Sequence, residues 1–157
     1  MTEQKMFDTF KKILSKSNID KLEEKLILPI DNGYLLFGEY LIFKKDGLYW
    51  LTKYKTDVEH TFFLLRNAVI WASLYKNNKI VDANRVLDLD KELQGTNFDI
   101  ELQQNLSKKT KNLDNYAIYI TKIVESKHRR DQIKKELESY EQSVKKWQFS
   151  QFAAITS

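Results

Sequence analysis

The sequence predicts an α+β domain with an N-terminal helix, a small antiparallel β-meander of two to three strands, a buried helix, and a long C-terminal αα-hairpin. Three observations carry this reading. Asp46-Gly47 lies between the runs Phe43-Lys-Lys45 and Leu48-Tyr-Trp50, the strongest short-range signal for a β-hairpin. The segment Phe62 to Lys76 is apolar almost all round when wound as a helix, which predicts burial. From Lys79 to Trp147 apolar residues recur at helical spacing with no proline to interrupt them.

The length of 157 residues suits one domain. Within it, residues 1–77 read as an α/β body, 78–147 as the helical hairpin and 148–157 as a tail. Hydrophobic residues make up 42% of the chain, enough apolar material to offset the entropy of ordering it. With Gly at 4 and Pro at 1, the chain has little punctuation, so long regular elements and few loops are expected.

In chain order, Met6, Phe10, Ile13 and Leu14 take helical spacing over Glu3 to Ser17, and Asp20 can cap a turn through Glu24. Leu26 to Ile30 reads as a strand that Pro29 confines to a sheet edge. After a turn at Asp31-Asn-Gly33, Tyr34 to Lys45 reads as one long strand that Gly38 bulges or bends. A two-residue loop at Asp46-Gly47 sets Phe43 opposite Trp50, Ile42 opposite Leu51, Leu41 opposite Thr52 and Tyr40 opposite Lys53. Both faces of that hairpin are partly apolar, so the domain must cover one side and another element or a partner the other. Thr61 is the expected cap of the buried helix and Asn77-Asn78 its stop.

Beyond Lys79, Gly95-Thr96 is expected to interrupt the first arm, which continues to about Thr110. A turn near Lys111-Asn112 folds back a second helix, from near Asp114 to about Trp147. In that helix Leu113, Tyr116, Ile120 and Ile123 follow a 3,4 repeat, and so do Ile133, Leu137, Tyr140, Val144 and Trp147. The two series are out of phase by one residue. The polar stretch Glu125 to Asp131 between them lacks Gly and Pro and reads as continuous helix. The aromatics of Trp147-Gln-Phe-Ser-Gln-Phe152 either fold back on the domain or dock on a neighbour.

Most kinds of chemistry lack candidates. Cysteine is absent, which removes disulfides and thiolate metal sites and points to the cytoplasm. The start lacks the basic-then-apolar order of a signal peptide, and Phe62 to Tyr75 falls short of the roughly 20 apolar residues of a membrane span. His60 and His128 are the only histidines and lie on different predicted elements, so no triad or histidine metal site is expected. Asp88 and Glu92 share a helical face that could hold a hard cation weakly, but a solvated face is the expectation. Glu125-Ser-Lys127 has a spacing some nucleases use, on a helix where such sites need a strand. Four scattered glycines supply no phosphate-cradling loop. No enzyme, cofactor, metal or small-molecule substrate is therefore expected.

Charge supplies one candidate surface. Lys108 to Lys146 holds eleven basic residues against six acids, while the whole chain carries +4. Lys127, Arg129, Arg130, Lys134 and Lys135 of this arm, with Lys44, Lys45 and Lys53 interleaved among hairpin aromatics, are the candidates for nucleic-acid or anion binding. The other expectation is an ordinary solvated face with i,i+4 pairs such as Asp131 with Lys135 and Glu141 with Lys145. Leu113, Tyr116, Ile120, Leu137, Tyr140, Val144 and Trp147 are the candidates for a protein interface, against the other arm or a symmetry mate.

The order Tyr40-Leu-Ile-Phe-Lys-Lys-Asp-Gly-Leu-Tyr-Trp50, Arg66-Asn-Ala-Val-Ile-Trp71, Tyr119-Ile-Thr-Lys122 and Arg129-Arg130 resembles small uncharacterised proteins of marine tailed phages of the cyanophage type. The resemblance spans roughly residues 35 to 142 and rests on hydrophobic, structural motifs, so it carries over no functional residue. It implies a phage-encoded accessory or virion-associated protein. That fits a chain with 22 lysines against 4 arginines, a bias expected of an AT-rich genome. The sequence thus leads to a non-catalytic interaction or assembly protein with a protein partner or its own copies, in host cytoplasm or virion. Its alternative is a nucleic-acid binder using the basic helix and the aromatic hairpin.

Overall fold

The computed structural model describes residues 27–30 and 33–156, with side chains described over 33–145. The expected helix at Glu3 to Ser17, the turn at Asp20 and the side chain of Trp147 lie outside those residues. The fold is α+β. Five strands form one antiparallel meander in chain order: β1 (Ile27–Ile30), β2 (Gly33–Leu36), β3 (Tyr40–Lys45), β4 (Leu48–Lys53) and β5 (Glu59–Phe62). Helices α1 (Leu65–Lys76), α2 (Ile80–Lys109) and α3 (Leu113–Thr156) follow. The meander is larger than the two to three strands expected, for two local reasons.

The first is at Gly38. The stretch Tyr34 to Lys45 is two strands, because Phe37 and Gly38 take φ of 55° and 68° and reverse the chain. Glu39 N donates to Leu36 O at 3.0 Å to close the turn. A phenylalanine at positive φ is strained. Burial offsets the strain, since Phe37 is shut from solvent and meets Tyr40 edge-on at 6.4 Å. The second is Glu59-His-Thr-Phe62, which pairs with β4 as an edge strand instead of opening the next helix. Thr61, the expected cap, sits opposite Trp50 in that ladder.

Other elements form as the residues dictate. Pro29 lies on the edge strand β1, opposite Tyr34, where a missing N–H costs no central ladder bond. Gly33 opens β2 beneath β3, and a Cβ there would stand 1.9 Å from the Ile42 carbonyl oxygen. Asp46 and Gly47 supply φ of 54° and 78°, and the β3–β4 register is the expected one from Tyr40↔Lys53 to Phe43↔Trp50.

Because side chains alternate along a strand, Leu36, Tyr40, Ile42, Leu51 and Phe62 share one sheet face. That face carries the core, closed by Ala68, Trp71 and Ala72 of α1, then Val86 and Leu89 of α2 and Ile133 and Leu137 of α3. Trp71 is its centre, stacked on Tyr75 at 4.7 Å and against His60 at 4.7 Å. Leu35, Leu41 and Thr52 of the opposite face are buried as well.

Helix α1 ends where Asn77-Asn78 predicts. Asn78 takes φ 61°, and the N–H groups of Asn78 and Lys79 return to the Tyr75 and Leu74 carbonyls. Helix α2 then runs unbroken through Gly95-Thr96, contrary to the interruption expected there. The Thr96 hydroxyl donates to the Glu92 carbonyl at 2.8 Å, inside the helix, instead of recapping it. The turn falls at residues 110–112, and the Asn112 side-chain oxygen caps α3 by accepting from the N–H groups of Asp114 and Asn115 at 2.9 and 3.2 Å. Helix α3 is continuous through Glu125 to Asp131 and runs past Trp147 to Thr156.

Candidate interaction surface

Two polar devices fix the hairpin on the body and a third ties its arms together. Asp90 of α2 is buried, and its carboxylate accepts from Phe63 N at 2.8 Å, Leu64 N at 3.3 Å and Asn67 Nδ2 at 2.8 Å. Helix α1 has no side-chain cap of its own at Leu64, and Asp90 caps it from another helix, setting a carboxylate at the helix N-terminus. Arg85 clamps Glu136 with two hydrogen bonds, Nε at 2.7 Å and NH2 at 3.1 Å, joining α2 to α3. That donation holds the Glu136 carboxyl below the usual range. Finally, Glu141 of α3 takes the Arg66 guanidinium of α1 and the Lys145 ammonium. Burial pushes Glu141 up, but these two cations outweigh it and leave its pKa lowered.

These contacts lie in the half of the hairpin next to the sheet. There the arms meet along a heptad seam. On α3 the seam is Tyr119, Ile123, Ser126, Arg130, Ile133, Leu137, Tyr140 and Val144, all buried or half-buried at alternating steps of 4 and 3. On α2 it is Val86, Leu89, Leu93, Thr96, Ile100, Gln103 and Ser107. Beyond Leu93 and Ile133 the seam leaves the main core and turns polar. Ile100 and Ile123 are its last buried aliphatics.

The outside of that distal half is the more apolar surface. Leu113 is 83% exposed, Phe98 63% and Val124 62%, with Leu102, Tyr116, Ile118 and Ile120 exposed beside them. Among the interface candidates, Leu137, Tyr140 and Val144 therefore pack in the seam or the core, whereas Leu113, Tyr116 and Ile120 face outward. The phase slip in the sequence marks two stripes on one helix. Ile123 belongs to the inner seam, while Leu113 and Ile120 belong to a second, outer stripe.

The basic candidates are dispersed. Arg129 pairs with Glu92 and Arg130 with Asp131, the acid for which i,i+4 spacing predicts Lys135 as partner. Lys127, Lys134 and Lys135 are exposed along α3. Lys44 lies over the Tyr49 ring at 5.6 Å and Lys45 over Trp50 at 5.9 Å, with Lys53 over both Tyr40 and Tyr75. The hairpin lysines thus rest on the aromatics expected to stack bases, and Tyr40 is wholly buried. No protein-family model, curated protein or solved structure matches the chain.

Glu92, half of the candidate cation pair, faces the guanidinium groups of Arg85 and Arg129. Among the described residues no cluster of three or more His, Asp or Glu could hold a metal ion. No described helix is long and apolar enough to cross a membrane. Sequence reasoning missed Asp90, whose role depends on a backbone 26 and 27 residues earlier in the chain. It also missed Phe98, Ile118 and Val124, whose exposure shows only once the inner seam is assigned.

Proposed function

We propose that this chain is a non-catalytic interaction or assembly module that docks through the distal half of its helical hairpin. One observation carries the reading: between Phe98 and Val124 the exposed surface holds more large apolar side chains than the seam it encloses. A surface helix of an isolated domain has the reverse arrangement, and contiguous exposed apolar patches mark contact sites. Tight anchoring of the proximal half by Asp90, Arg85 and Glu141 gives that surface a rigid mount. Given the resemblance to small proteins of marine tailed phages, a virion-associated or accessory role is the assembly to examine first.

The test is site-specific photo-crosslinking of the full chain in the cells that make it. A photoreactive residue replaces Leu113, Ile120 or, as an exposed control on the proximal half, Lys134. Adducts at Leu113 and Ile120 with none at Lys134 support the reading. Adducts only at Lys134, or at no position, oppose it.

A further inference from the structure

We infer that the occupant of this surface is a second copy of the chain, paired antiparallel along the outer stripe of α3; the inference rests on the contact surface proposed above. The stripe is Leu113, Ala117, Ile120 and Val124, all exposed, at steps of 4, 3 and 4. That is a heptad stripe without a partner, and it ends at the polar residues Lys127 and His128.

Its order selects its orientation. Reversed about the midpoint between Ile118 and Tyr119, the stripe matches itself, with Leu113 meeting the partner's Val124 and Ala117 the partner's Ile120. Each layer then joins a smaller side chain to a larger one, as close packing requires. A parallel pair would set Ala117 against the partner's Ala117 and leave a gap there.

Charge agrees. The turn end of the hairpin carries Lys108, Lys109 and Lys111, which sit exposed with Asp114 beside them. A parallel pair would stack these lysines on their own copies. The antiparallel register carries Lys111 near the level of the partner's Glu125 instead, and places the two basic tips at opposite ends of the contact. The overlap from Leu113 to Val124 spans about 18 Å of helix at 1.5 Å per residue, so each tip stops short of the partner's sheet. The area is at the small end for a specific contact, under about 1,200 Å², so association is weak and concentration-dependent.

Sedimentation velocity across a concentration series of the full chain tests this, with A117I, I120A and the double variant A117I/I120A. Thermal unfolding at low concentration separately reports any cost to the hairpin itself. Each single variant is expected to weaken dimerisation roughly tenfold, by overpacking or by a cavity, which corresponds to about 1.4 kcal/mol. The double variant is expected to recover to within about threefold, because only an antiparallel pair then rebuilds a layer of one isoleucine against one alanine, with the two positions exchanged. A wild-type chain that stays monomeric up to about 1 mM, where even a contact of about 4 kcal/mol would show, overturns the inference. So do single variants without effect, or a double variant that is not rescued. A monomeric chain that still crosslinks a different protein through position 120 refutes the second copy alone and leaves the docking surface standing.

Discussion

Replacing Asp90 by alanine tests the joint between body and hairpin. The carboxylate accepts three hydrogen bonds, from Phe63 N, Leu64 N and Asn67 Nδ2, and is almost wholly buried. A buried donor that loses its acceptor costs about 1–3 kcal/mol, and loss of a helix cap alone about 0.5–2 kcal/mol. Phe63 and Leu64 are partly exposed, so water can reach their N–H groups after the change, whereas Asn67 is sealed. The two water-accessible N–H groups therefore take the lower end of the capping range, about 0.5 kcal/mol each, and Asn67 the middle of the buried-donor range, about 2 kcal/mol. The expected loss is about 3 kcal/mol, a large share of the ~5–15 kcal/mol that holds a domain together. At an m-value of about 2 kcal/mol per molar urea, the unfolding midpoint falls by about 1.5 M. D90N keeps one acceptor oxygen and is expected to lose about half as much. D88A, on an exposed acid of the same helix, serves as the control and should stay within about 0.5 kcal/mol. If D90A unfolds at the same urea concentration as D88A, the capping argument is wrong.

Three further outcomes follow from the structure. G33A is expected to lose about 1–3 kcal/mol in the same urea assay, because its Cβ meets the Ile42 carbonyl and that backbone cannot give way cheaply; wild-type stability would show that β2 and β3 are not so close. Burial against Trp71, with the Lys91 charge adding to it, lowers the His60 pKa from 6.5. The folded state therefore favours neutral His60, so its contribution is complete above pH 6.5 and is lost as pH falls below that through the folded value. The thermal midpoint of the wild type should drop from pH 7.5 to about 5.5 more than that of H60Q. The lowered pKa values of Glu136 and Glu141 act only below about 4.5, and equal slopes for the two proteins would contradict the assignment. Finally, a chain whose arginines at 129 and 130 are paired should shift single- or double-stranded nucleic acid little near 0.15 M salt. Strong binding there, lost in R129E/R130E/K134E/K135E, would restore the nucleic-acid reading.

Elements whose cause is local were legible in the sequence. Asp46-Gly47 carries its own turn chemistry, so the β3–β4 register could be written down residue by residue. Asn77-Asn78 and Asn112 likewise marked helix ends through what their own side chains and backbones do. Elements whose cause is tertiary were not. Phe37 carries no turn signal, and its positive φ is held by the burial of its ring. Glu59-His-Thr-Phe62 has one core residue in four and becomes a strand because β4 offers an edge. Gly95 looks like a helix stop, yet α2 passes through it because the seam residues on either side, Leu93 and Ile100, are both buried. As for the surface, the one-residue slip between Leu113–Ile120 and Ile133–Val144 was visible, but its meaning required knowing which stripe faces the other arm.

The central claim is that the outer face of the distal hairpin is covered when the protein is at work. Hydroxyl-radical footprinting of the intact assembly recovered from its source, against the isolated chain at low concentration, addresses it residue by residue. Leu113, Tyr116 and Ile120 are expected to be protected at least severalfold in the assembly, while exposed Phe63 and Leu64 beside the sheet keep the reactivity they have alone. Equal labelling of Leu113, Tyr116 and Ile120 in both samples would contradict the claim.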